Sequence, residues 1–504
     1  MKVLLVNPAR TYYKGSKGVR LGLPLGLMYI ASVLEKNSIP VKIFDTLISA
    51  STKITEHSDH IYHGVGDDFF KEVIVREKPD VVGITSPFTA QVGNSCEAAR
   101  LIKEVDPNIF VVIGGPHFAV LGQEFLKENK NIDAAMIGEG ELVMPTLLET
   151  IENNQPFNAI DGLIYRSIND SGESVVIANN PKLINDLDSL PFPAYHLIDM
   201  ERYFDFLREG LYARPGQQKR SISMITSRGC PFNCVFCSIH LHMGKIWRAH
   251  SADYVISHIE RVVNKYGVEH ISFEDDNFTS NFKRCEKIFD YLLEKKINIT
   301  WDTPNGVRAD TLNKDLLKKM KKSGCTELVI GTESGDQDTL DNIIKKNLRL
   351  EKVVQVARWC KELKIELNSF FVIGFPGETK EKIQKTIDFA FLLYKKFNVR
   401  PNLMTATPLI GTELHKIVVS NGYLIEEVTA ENLALATQPR GKPLIKTPEF
   451  SPEDLKESDR ELKTRLARLN LVRRLINPRE WLRLLRLFLS RPSRLILYLK
   501  KLCG

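Results

Sequence analysis

The chain has 504 residues, of which 43% are hydrophobic, 26% charged and 9% aromatic. This length fits two or three domains, and the composition excludes a disordered, fibrous or membrane-embedded protein. The formal charge of +7 comes from the tail, because residues 461–504 hold twelve Lys and Arg against two Glu, which leaves residues 1–460 at −3. We therefore expect no nucleic-acid-binding surface on the main body.

Residues 1–145 alternate short apolar runs with helical patterns. The strand-like runs are residues 2–6, 41–44, 81–85, 110–113 and 134–137, and helices fit residues 25–37, 69–77 and 91–105. The alternation predicts a doubly wound, Rossmann-like α/β domain that binds its ligand at the carboxyl ends of the strands. No Gly-x-Gly-x-x-Gly follows the first run, which argues against a nicotinamide cofactor.

Small and polar residues follow these runs where the ligand is expected. They are Ser86, Thr89, Gly114, Gly115, His117, Gly138 and Glu139. Glycines let a bulky ligand approach the backbone closely. His117, which follows a proline, is either a ligand-facing or a capping residue, and Glu139 would serve equally as a helix cap.

The pattern loosens over residues 146–215, where Asn and Pro are frequent. We interpret this stretch as a linker with a small hairpin at residues 162–177.

Three cysteines fall within eight residues in the segment Ser-Arg-Gly-Cys-Pro-Phe-Asn-Cys-Val-Phe-Cys-Ser, residues 227–238. Gly229 before Cys230, with Pro231 and Asn233 between Cys230 and Cys234, favours a loop that also carries Cys237. Thiolates prefer zinc, copper(I) or iron–sulfur clusters. A zinc site needs a fourth ligand, which His240 or His242 would supply. A 4Fe-4S cluster held by three cysteines leaves one iron open to a ligand that is not protein.

Strand and helix patterns resume over residues 216–430. The strand candidates are residues 221–225, 270–274, 299–301, 327–331, 366–373 and 402–406. Six such units predict a partial (β/α)6 barrel of the TIM type, with its active site at the carboxyl ends of the strands. Polar residues at those ends are Asp275, Asp276, Arg308, Glu333 and Ser334. Ligand contacts and helix N-caps are the two interpretations of these side chains.

Residues 431–504 predict a helical C-terminal region. Asn477-Pro478 is a helix start, and the apolar residues after it alternate with Arg479, Arg483 and Arg486, which share one face. This composition is typical of a helix in a membrane interface, where arginines attract anionic lipids. A helix docked on the barrel or on a partner protein is the alternative.

The spacing Cys-x3-Cys-x2-Cys, with Phe236 before the last cysteine, resembles the signature of the radical S-adenosylmethionine (SAM) enzymes. The resemblance implies that the three cysteines bind a 4Fe-4S cluster and that the amino and carboxylate groups of SAM chelate its open iron. It implies that Phe236 packs near the adenine, that Asp275 and Asp276 contact the amino group of SAM or the cluster surroundings, and that Glu333 and Ser334 contact its methionine or ribose part.

The first domain resembles the cobalamin-binding domain that precedes many radical SAM barrels. The similar motifs are Pro-Leu-Gly-Leu at 24–27, Gly-Gly-Pro-His at 114–117 and Gly-Glu-Gly-Glu at 138–141. The resemblance implies that the cobalamin contacts are Ser86, Thr89, Gly114, Gly115, His117, Gly138 and Glu139. Asp-x-His-x-x-Gly, whose histidine binds cobalt from below in other cobalamin proteins, is missing from the chain. A degenerate domain kept for structure is the alternative.

The resemblance implies a cobalamin-dependent radical SAM enzyme that methylates an unactivated carbon of a hydrophobic or lipid-like substrate, with flavodoxin or ferredoxin as electron donor. Radical ring formation, rearrangement or coupling without methyl transfer is one alternative, and a non-enzymatic cluster or cobalamin sensor at a membrane is another. Unpaired cysteines and the lack of a signal peptide or membrane span predict a cytoplasmic protein. The basic tail predicts peripheral attachment to the inner face of the cytoplasmic membrane.

Overall fold

The computed structural model of the protein describes residues 1–13, 19, 21–86, 88–211, 219–437 and 441–476. The predicted amphipathic segment 477–504 lies outside the described residues, as does Cys503. Within the described part, no helix is long and apolar enough to cross a membrane.

The described residues of the N-terminal part form ten strands and five α-helices. The strands are β1 Val3–Asn7, β2 Arg10–Tyr13, β3 Val41–Asp45, β4 Lys53–Glu56, β5 His60–Gly64, β6 Val81–Thr85, β7 Phe110–Gly114, β8 Ala134–Met136, β9 Leu163–Ile168 and β10 Ser174–Ala178. The helices are α1 Leu25–Lys36, α2 Asp67–Glu77, α3 Val92–Val105, α4 Phe118–Glu128 and α5 Gly140–Glu152.

Five parallel strands lie side by side in the first sheet in the order β3-β1-β6-β7-β8, with β3 at one edge. Strand β1 is buried along its whole length, and Val6 pairs with Phe44 on one side and Ile84 on the other. Such continuous apolar runs are typical of parallel strands covered by helices on both faces. The predicted doubly wound domain is confirmed.

Two features of this part were not predicted. The hairpin β9–β10 belongs to the first sheet, because β9 pairs with β8 in an antiparallel register, so the sheet extends past the predicted boundary at residue 145. Strands β2, β5 and β4 form a separate antiparallel sheet. Its strand β4 is exposed throughout and therefore carries no alternation of apolar and polar residues from which a strand could be predicted.

The barrel and the C-terminal region contain eight strands and ten helices in the described residues. The strands are β11 Ser221–Met224, β12 Ser227–Arg228, β13 Arg248–Ala249, β14 His270–Phe273, β15 Thr300–Val307, β16 Cys325–Glu333, β17 Glu366–Ile373 and β18 Arg400–Thr405. The helices are α6 Met200–Arg208, α7 Ile239–His242, α8 Ala252–Tyr266, α9 Phe282–Glu294, α10 Lys314–Lys322, α11 Leu350–Leu363, α12 Lys380–Phe397, α13 Glu413–Ser420, α14 Ala430–Ala436 and α15 Pro452–Ile476.

Six parallel strands make the open barrel in the order β11-β14-β15-β16-β17-β18. The helices cover its outside, where the rings of Phe289 and Trp301 stack with their centres 5.0 Å apart in the largest apolar core. Helix α15 continues this core, because Leu462 is buried in it. The predicted partial barrel is confirmed, and its strand ends face the first sheet's domain.

Candidate active site

The cysteine loop follows β11 and begins at a two-stranded hairpin made by β12 and β13. Gly229 follows β12 with a φ of +80°, and a Cβ there would lie 2.4 Å from the carbonyl oxygen of Ile246. Only glycine fits both constraints. The backbone N–H of Cys230 then donates to the carbonyl of Gly244 at 3.3 Å, so the start of the loop is fixed by backbone contacts.

The three cysteines are free thiols on this loop. Burial raises the pKa of each thiol, that of Cys237 to about 12. A buried thiol becomes a thiolate when a positive partner lies beside it. Lys346 and Arg308 supply positive charge that favours the thiolate of Cys234. Among the described residues, no group of three or more Cys, His, Asp or Glu side chains has the arrangement of a ready metal site.

Phe236 lies between the second and third cysteines and packs on the barrel. Its ring centre is 5.8 Å from that of Phe375, which follows β17. The N–H of Val235 donates to the carbonyl of Ile344 at 3.1 Å. These contacts hold the second half of the loop against the strand ends. The predicted contact of Phe236 with adenine stays a prediction.

The two aspartates after β14 have different surroundings. Asp275 is buried and accepts hydrogen bonds from the side chains of Thr226 and Ser227, so it fixes the segment before the loop. Burial raises the pKa of Asp276 to about 7, and the charge of Asp275 adds to the effect. Asp276 also acts electrostatically on Cys230. Asp276 is therefore the better placed of the two for a ligand, and both predicted SAM contacts stay predictions.

Glu333 ends β16 in a left-handed conformation, with a φ of +66°. Its carboxylate forms a buried ion pair with Lys346, at 2.9 Å from Oε1 to Nζ. Ser334 points elsewhere, because its hydroxyl lies 2.9 Å from that of Thr386 on α12 and accepts from the N–H of Asp336. The structure thus directs Glu333 toward the cysteines and Ser334 toward the barrel helices, and neither predicted SAM contact is tested by these distances.

Arg308, after β15, lies against the cysteine loop. Its guanidinium carbon is 3.6 Å from the centre of the Phe232 ring, and its nitrogens donate to Asp310 at 2.9 and 2.7 Å. A cation over an aromatic face at this distance is attractive. Arg308 therefore supports the loop, and its positive charge stays beside the thiols.

The strand ends of the first sheet form a second part of the site. Gly115 has a φ of +142°, and a Cβ there would meet the carbonyl oxygen of Ser86 at 2.0 Å. His117 Nδ1 lies 3.3 Å from the hydroxyl of Thr89. Burial lowers the pKa of His117 to about 4, so this imidazole is neutral at pH 7. The structure brings these residues together, as the sequence predicts, while their contact with cobalamin stays a prediction.

Glu139 has a role that the sequence did not predict. Both of its carboxylate oxygens accept from Arg248, and one also accepts from Arg228 at 2.8 Å. Burial opposes its charge, but the arginines hold the pKa of Glu139 below its ordinary value. Its side chain therefore joins the first domain to the barrel. The cobalamin contacts predicted for Gly138 and Glu139 stay predictions, and for Glu139 they would have to share an occupied carboxylate.

A cavity of about 600 Å³ lies between the two domains. Thr89 and His117 line it from the first domain, and helix α7, which follows the third cysteine, lines it from the barrel. Helix α14 closes a third side. The apolar lining residues include Phe88, Ala90, Pro116, Val120, Leu121, Ile239, Leu241, Leu409, Ile410, Leu433 and Ala434. Strand β2 adds Arg10. Arg10, α7 and α14 were not predicted as parts of the site, since nothing in their local sequence indicates that they meet.

Family models match both halves of this arrangement. The B12 binding domain matches residues 19–148, and the radical SAM superfamily matches residues 224–390. The match to OxsB, a cobalamin-dependent SAM radical enzyme solved with aqua-cobalamin and SAM bound, has a TM-score of 0.71 at 16% identity. It covers 99% of this chain and 70% of OxsB, so the two proteins share the fold.

Three relatives have names that describe enzymes. An uncharacterised methyltransferase of Pyrococcus horikoshii is 32% identical over 436 residues, which is 84% of each chain. The cytidylyl-2-hydroxyethylphosphonate methyltransferase of Streptomyces wedmorensis is 29% identical over 84% of this chain and 83% of its own. The anaerobic magnesium-protoporphyrin IX monomethyl ester cyclase of Rubrivivax gelatinosus is 26% identical over 77% of this chain and 65% of its own.

The fold and the cysteine loop define an enzyme of the radical SAM class. The chain belongs to the family of radical SAM enzymes that carry a B12-binding domain before the barrel. Its cofactors are a 4Fe-4S cluster, SAM and cobalamin. The zinc and sensor alternatives are therefore not retained, and neither is a first domain kept for structure alone.

The residues present fit these three groups. Three thiols on one fixed loop can bind three irons of a 4Fe-4S cluster and leave the fourth iron open. The positive charges of Lys346 and Arg308 favour the thiolate form of Cys234. The backbone at Gly115 has no room for a side chain, as close approach of a large ligand requires. The cavity beside His117 opens toward the barrel.

Proposed function

We propose that this enzyme transfers a methyl group to a carbon atom of a small, largely apolar molecule. The main support for this proposal is the position of the cavity, which lies between the strand ends of the B12-binding domain and the helix that follows the third cysteine. A substrate in this cavity would lie between the cobalamin-binding strand ends and the loop that binds the 4Fe-4S cluster. Two relatives that are similar to this chain over most of its length have names that describe methyltransferases, which supports the same activity.

When bound, the cluster and SAM supply a 5′-deoxyadenosyl radical that removes a hydrogen atom, and cobalamin supplies the methyl group. In the proposal, Cys230, Cys234 and Cys237 bind the cluster. Phe236 packs beside the adenine, while Asp276 and Glu333 hold the ammonium and ribose of SAM.

Other residues orient cobalamin at the first domain. Thr89 and His117 lie at its strand ends, and the backbone at Gly114 and Gly115 approaches it closely. The neutral imidazole of His117 offers one donor and one acceptor, of which Nδ1 lies near Thr89.

The lining of the cavity indicates the substrate class. Most of its side chains are apolar, none of the described lining residues is acidic, and Arg10 contributes a positive charge. Burial lowers the pKa of both histidines in the lining, His117 and His242, so they do not add charge at pH 7. An apolar molecule with one anionic group fits this distribution, since a buried charge needs a partner.

The test uses SAM whose methyl group carries deuterium. The reconstituted enzyme is incubated anaerobically with dithionite, labelled SAM and a small-molecule extract of its source organism. The proposal predicts a product heavier by one deuterated methyl group, together with S-adenosylhomocysteine. A reduced cluster that forms 5′-deoxyadenosine and an unlabelled product would reject methyl transfer.

A second candidate is radical ring formation, rearrangement or coupling without methyl transfer. The relative named as a cyclase supports it, because it is similar to this chain over 77% of the length. The same labelled reaction separates the two candidates, since this chemistry leaves the deuterium on unreacted SAM or on methionine.

An external one-electron donor such as flavodoxin or ferredoxin is part of the proposal. The cysteines outside the loop lie on separate elements, Cys96 on α3, Cys285 on α9, Cys325 on β16 and Cys360 on α11. They therefore do not form a second cluster that would relay electrons within the described part of the chain. Reduction of the cluster by purified flavodoxin, followed by 5′-deoxyadenosine formation, tests this point.

Peripheral attachment to a membrane through residues 477–504 is the last part of the proposal. It depends on the sequence alone, in which arginines share one face of an apolar segment. A chain ending at Ile476 keeps α15 and tests it. Equal binding of the full and shortened chains to vesicles of anionic lipid would reject the attachment and the cytoplasmic-face location that follows from it.

A further inference from the structure

The hairpin at the start of the cysteine loop carries two buried arginines. Arg228 ends β12 and pairs in register with Arg248 of β13. Both guanidinium groups turn toward the first domain and are less than one-tenth exposed. Arg228 is two residues from Cys230, the first cysteine of the loop. The hairpin therefore joins a charged, buried contact to the first expected cluster ligand.

Two glutamates of the first domain receive these arginines. Arg228 donates to Glu139 Oε1 at 2.8 Å and to Glu141 Oε1 at 2.6 Å. Arg248 donates to both oxygens of Glu139, at 3.0 and 2.9 Å. The glutamates are also buried. Two positive and two negative charges balance, as buried charges require.

These glutamates stand at the ligand-binding edge of the first sheet. Glu139 follows Gly138, for which the family resemblance implies a cobalamin contact, and Glu141 lies in the first turn of α5. The network also includes Ile184 of the linker between the domains, because the N–H of Ile184 donates to Glu139 and its carbonyl accepts from Arg248. One buried ion-pair network therefore links the start of the cysteine loop to the ligand-binding edge of the first sheet.

The backbone from Arg228 to Cys230 is rigid, so a movement of Arg228 displaces Cys230. A Cβ on Gly229 would meet three carbonyl oxygens within 3.0 Å, and the N–H of Cys230 is bonded to Gly244. A shift of Arg228 relative to Glu141 must therefore move Cys230, since close-packed segments shift together.

We propose that Arg228 is a positioning residue that sets the separation of the cluster loop from the B12-binding domain, through its bidentate contact with Glu139 and Glu141. The proposal rests on the family's cofactors, and its consequence for catalysis rests on the proposed methyl transfer. Loss of the contact leaves both cofactors bound but varies their separation. Radical formation then continues while methyl transfer declines, because transfer depends on geometry within about 1 Å.

The first measurement is a distance that needs no substrate. In the full-length holoenzyme, reduced cluster and cob(II)alamin are both paramagnetic, and pulsed electron paramagnetic resonance gives the distribution of their separation. The variants are Arg228→Gln, Arg228→Lys and the milder Glu141→Gln. Lys182→Gln, which breaks the exposed pair with Asp161, is the matched control.

We expect a narrow distribution in the wild type and the control and a broader one in all three variants, at unchanged iron and cobalamin content. Arg228→Lys keeps the charge but not the two-pronged contact, so it also broadens the distribution. A distribution as narrow as the wild type in Arg228→Gln and Glu141→Gln would overturn the proposal. So would variants that bind both cofactors normally but lose thermal stability alone.

The second measurement is the ratio of methylated product to 5′-deoxyadenosine. We expect about a tenfold lower ratio in Arg228→Gln, whereas a purely structural role lowers both products in proportion and would contradict the proposal. If the wild type makes no methylated product, the proposed function fails, and the distance measurement still decides the role of Arg228.

Discussion

Lys346 Nζ lies 2.9 Å from Glu333 Oε1, and each side chain is only 8% exposed. The pair stands beside the cysteine loop, where Lys346 favours the thiolate of Cys234. A Cβ on Gly331 would lie 2.5 Å from Glu333 and 2.8 Å from Lys346, so the strand itself is shaped around the pair. The ion pair holds Glu333 in place, and within it Lys346 favours the thiolate of Cys234 while the carboxylate of Glu333 opposes it.

Replacing Glu333 with Gln leaves Lys346 buried without its partner. We expect a loss of about 3 kcal/mol in the free energy of unfolding and weaker SAM binding to the reconstituted enzyme. Denaturant unfolding and equilibrium dialysis with SAM measure the two effects. Lys345→Gln, which breaks the exposed pair with Glu413, is the control and leaves both unchanged. Unaltered SAM affinity in the Glu333 variant would remove Glu333 from the proposed SAM site.

Alanine at Gly229 tests the rigidity of the cysteine loop. Its Cβ would meet the carbonyl of Ile246 at 2.4 Å, so we expect the variant to lose most of its iron after reconstitution. Gly172→Ala is matched, because Gly172 also has a positive φ, +79°, but open space around it. That control costs about 1 kcal/mol of backbone strain and keeps its iron. Equal iron content in both variants would show that the loop tolerates the displacement.

Removal of single cysteines tests the metal ligands. We expect Cys230→Ala, Cys234→Ala and Cys237→Ala each to lack the visible absorption of the cluster and to form no 5′-deoxyadenosine, since each removes one of three iron ligands. Cys96→Ala on α3 serves as the control and retains both. A cluster of full occupancy in any of the three variants would show that the missing cysteine is not a ligand.

Acid should destabilise the fold through buried histidines. Burial lowers the pKa of His258 to about 3 and that of His250 to about 4. The unfolded chain binds a proton near pH 6.5, so unfolding gains protons, and stability falls as pH drops from about 6.5 toward these values. The loss approaches about 1.4 kcal/mol per pH unit for each histidine.

His258→Gln checks that slope. Its side chain can still accept from Tyr195, to whose hydroxyl His258 Nε2 lies at 3.1 Å, but it does not titrate. We expect the free energy of unfolding of this variant to depend less on pH between 4 and 6.5 than that of the wild type. Parallel pH curves for the two proteins would contradict the assignment of the slope to His258.

The parts of the fold that could be predicted are those with a local pattern. The parallel strands β1, β6 and β7 are continuous apolar runs, and the barrel strand β17 was predicted with its observed bounds, Glu366–Ile373. The cysteine spacing similarly indicated the cluster loop. Each of these signals lies within a few consecutive residues.

The parts that could not be predicted depend on contacts between distant segments. Arg228 and Glu141 are 87 positions apart, and their side chains give no sign in the sequence that they meet. Helix α14 contacts the turn that begins at Thr89, and both line the cavity. The sequence of α14 does not distinguish it from other short amphipathic helices. Tertiary burial of charge, rather than local propensity, decides the roles of Glu139 and Glu333.

In this enzyme one chain brings a 4Fe-4S cluster, SAM and, in the proposed function, methyl-donating cobalamin to one substrate. The most direct measurement is a visible spectrum of the anaerobically reconstituted enzyme, followed by chromatography after addition of dithionite and SAM. We expect cobalamin bands in the spectrum, and both 5′-deoxyadenosine and S-adenosylhomocysteine among the products. Cluster absorption and 5′-deoxyadenosine in a protein that takes up no cobalamin would contradict this expectation.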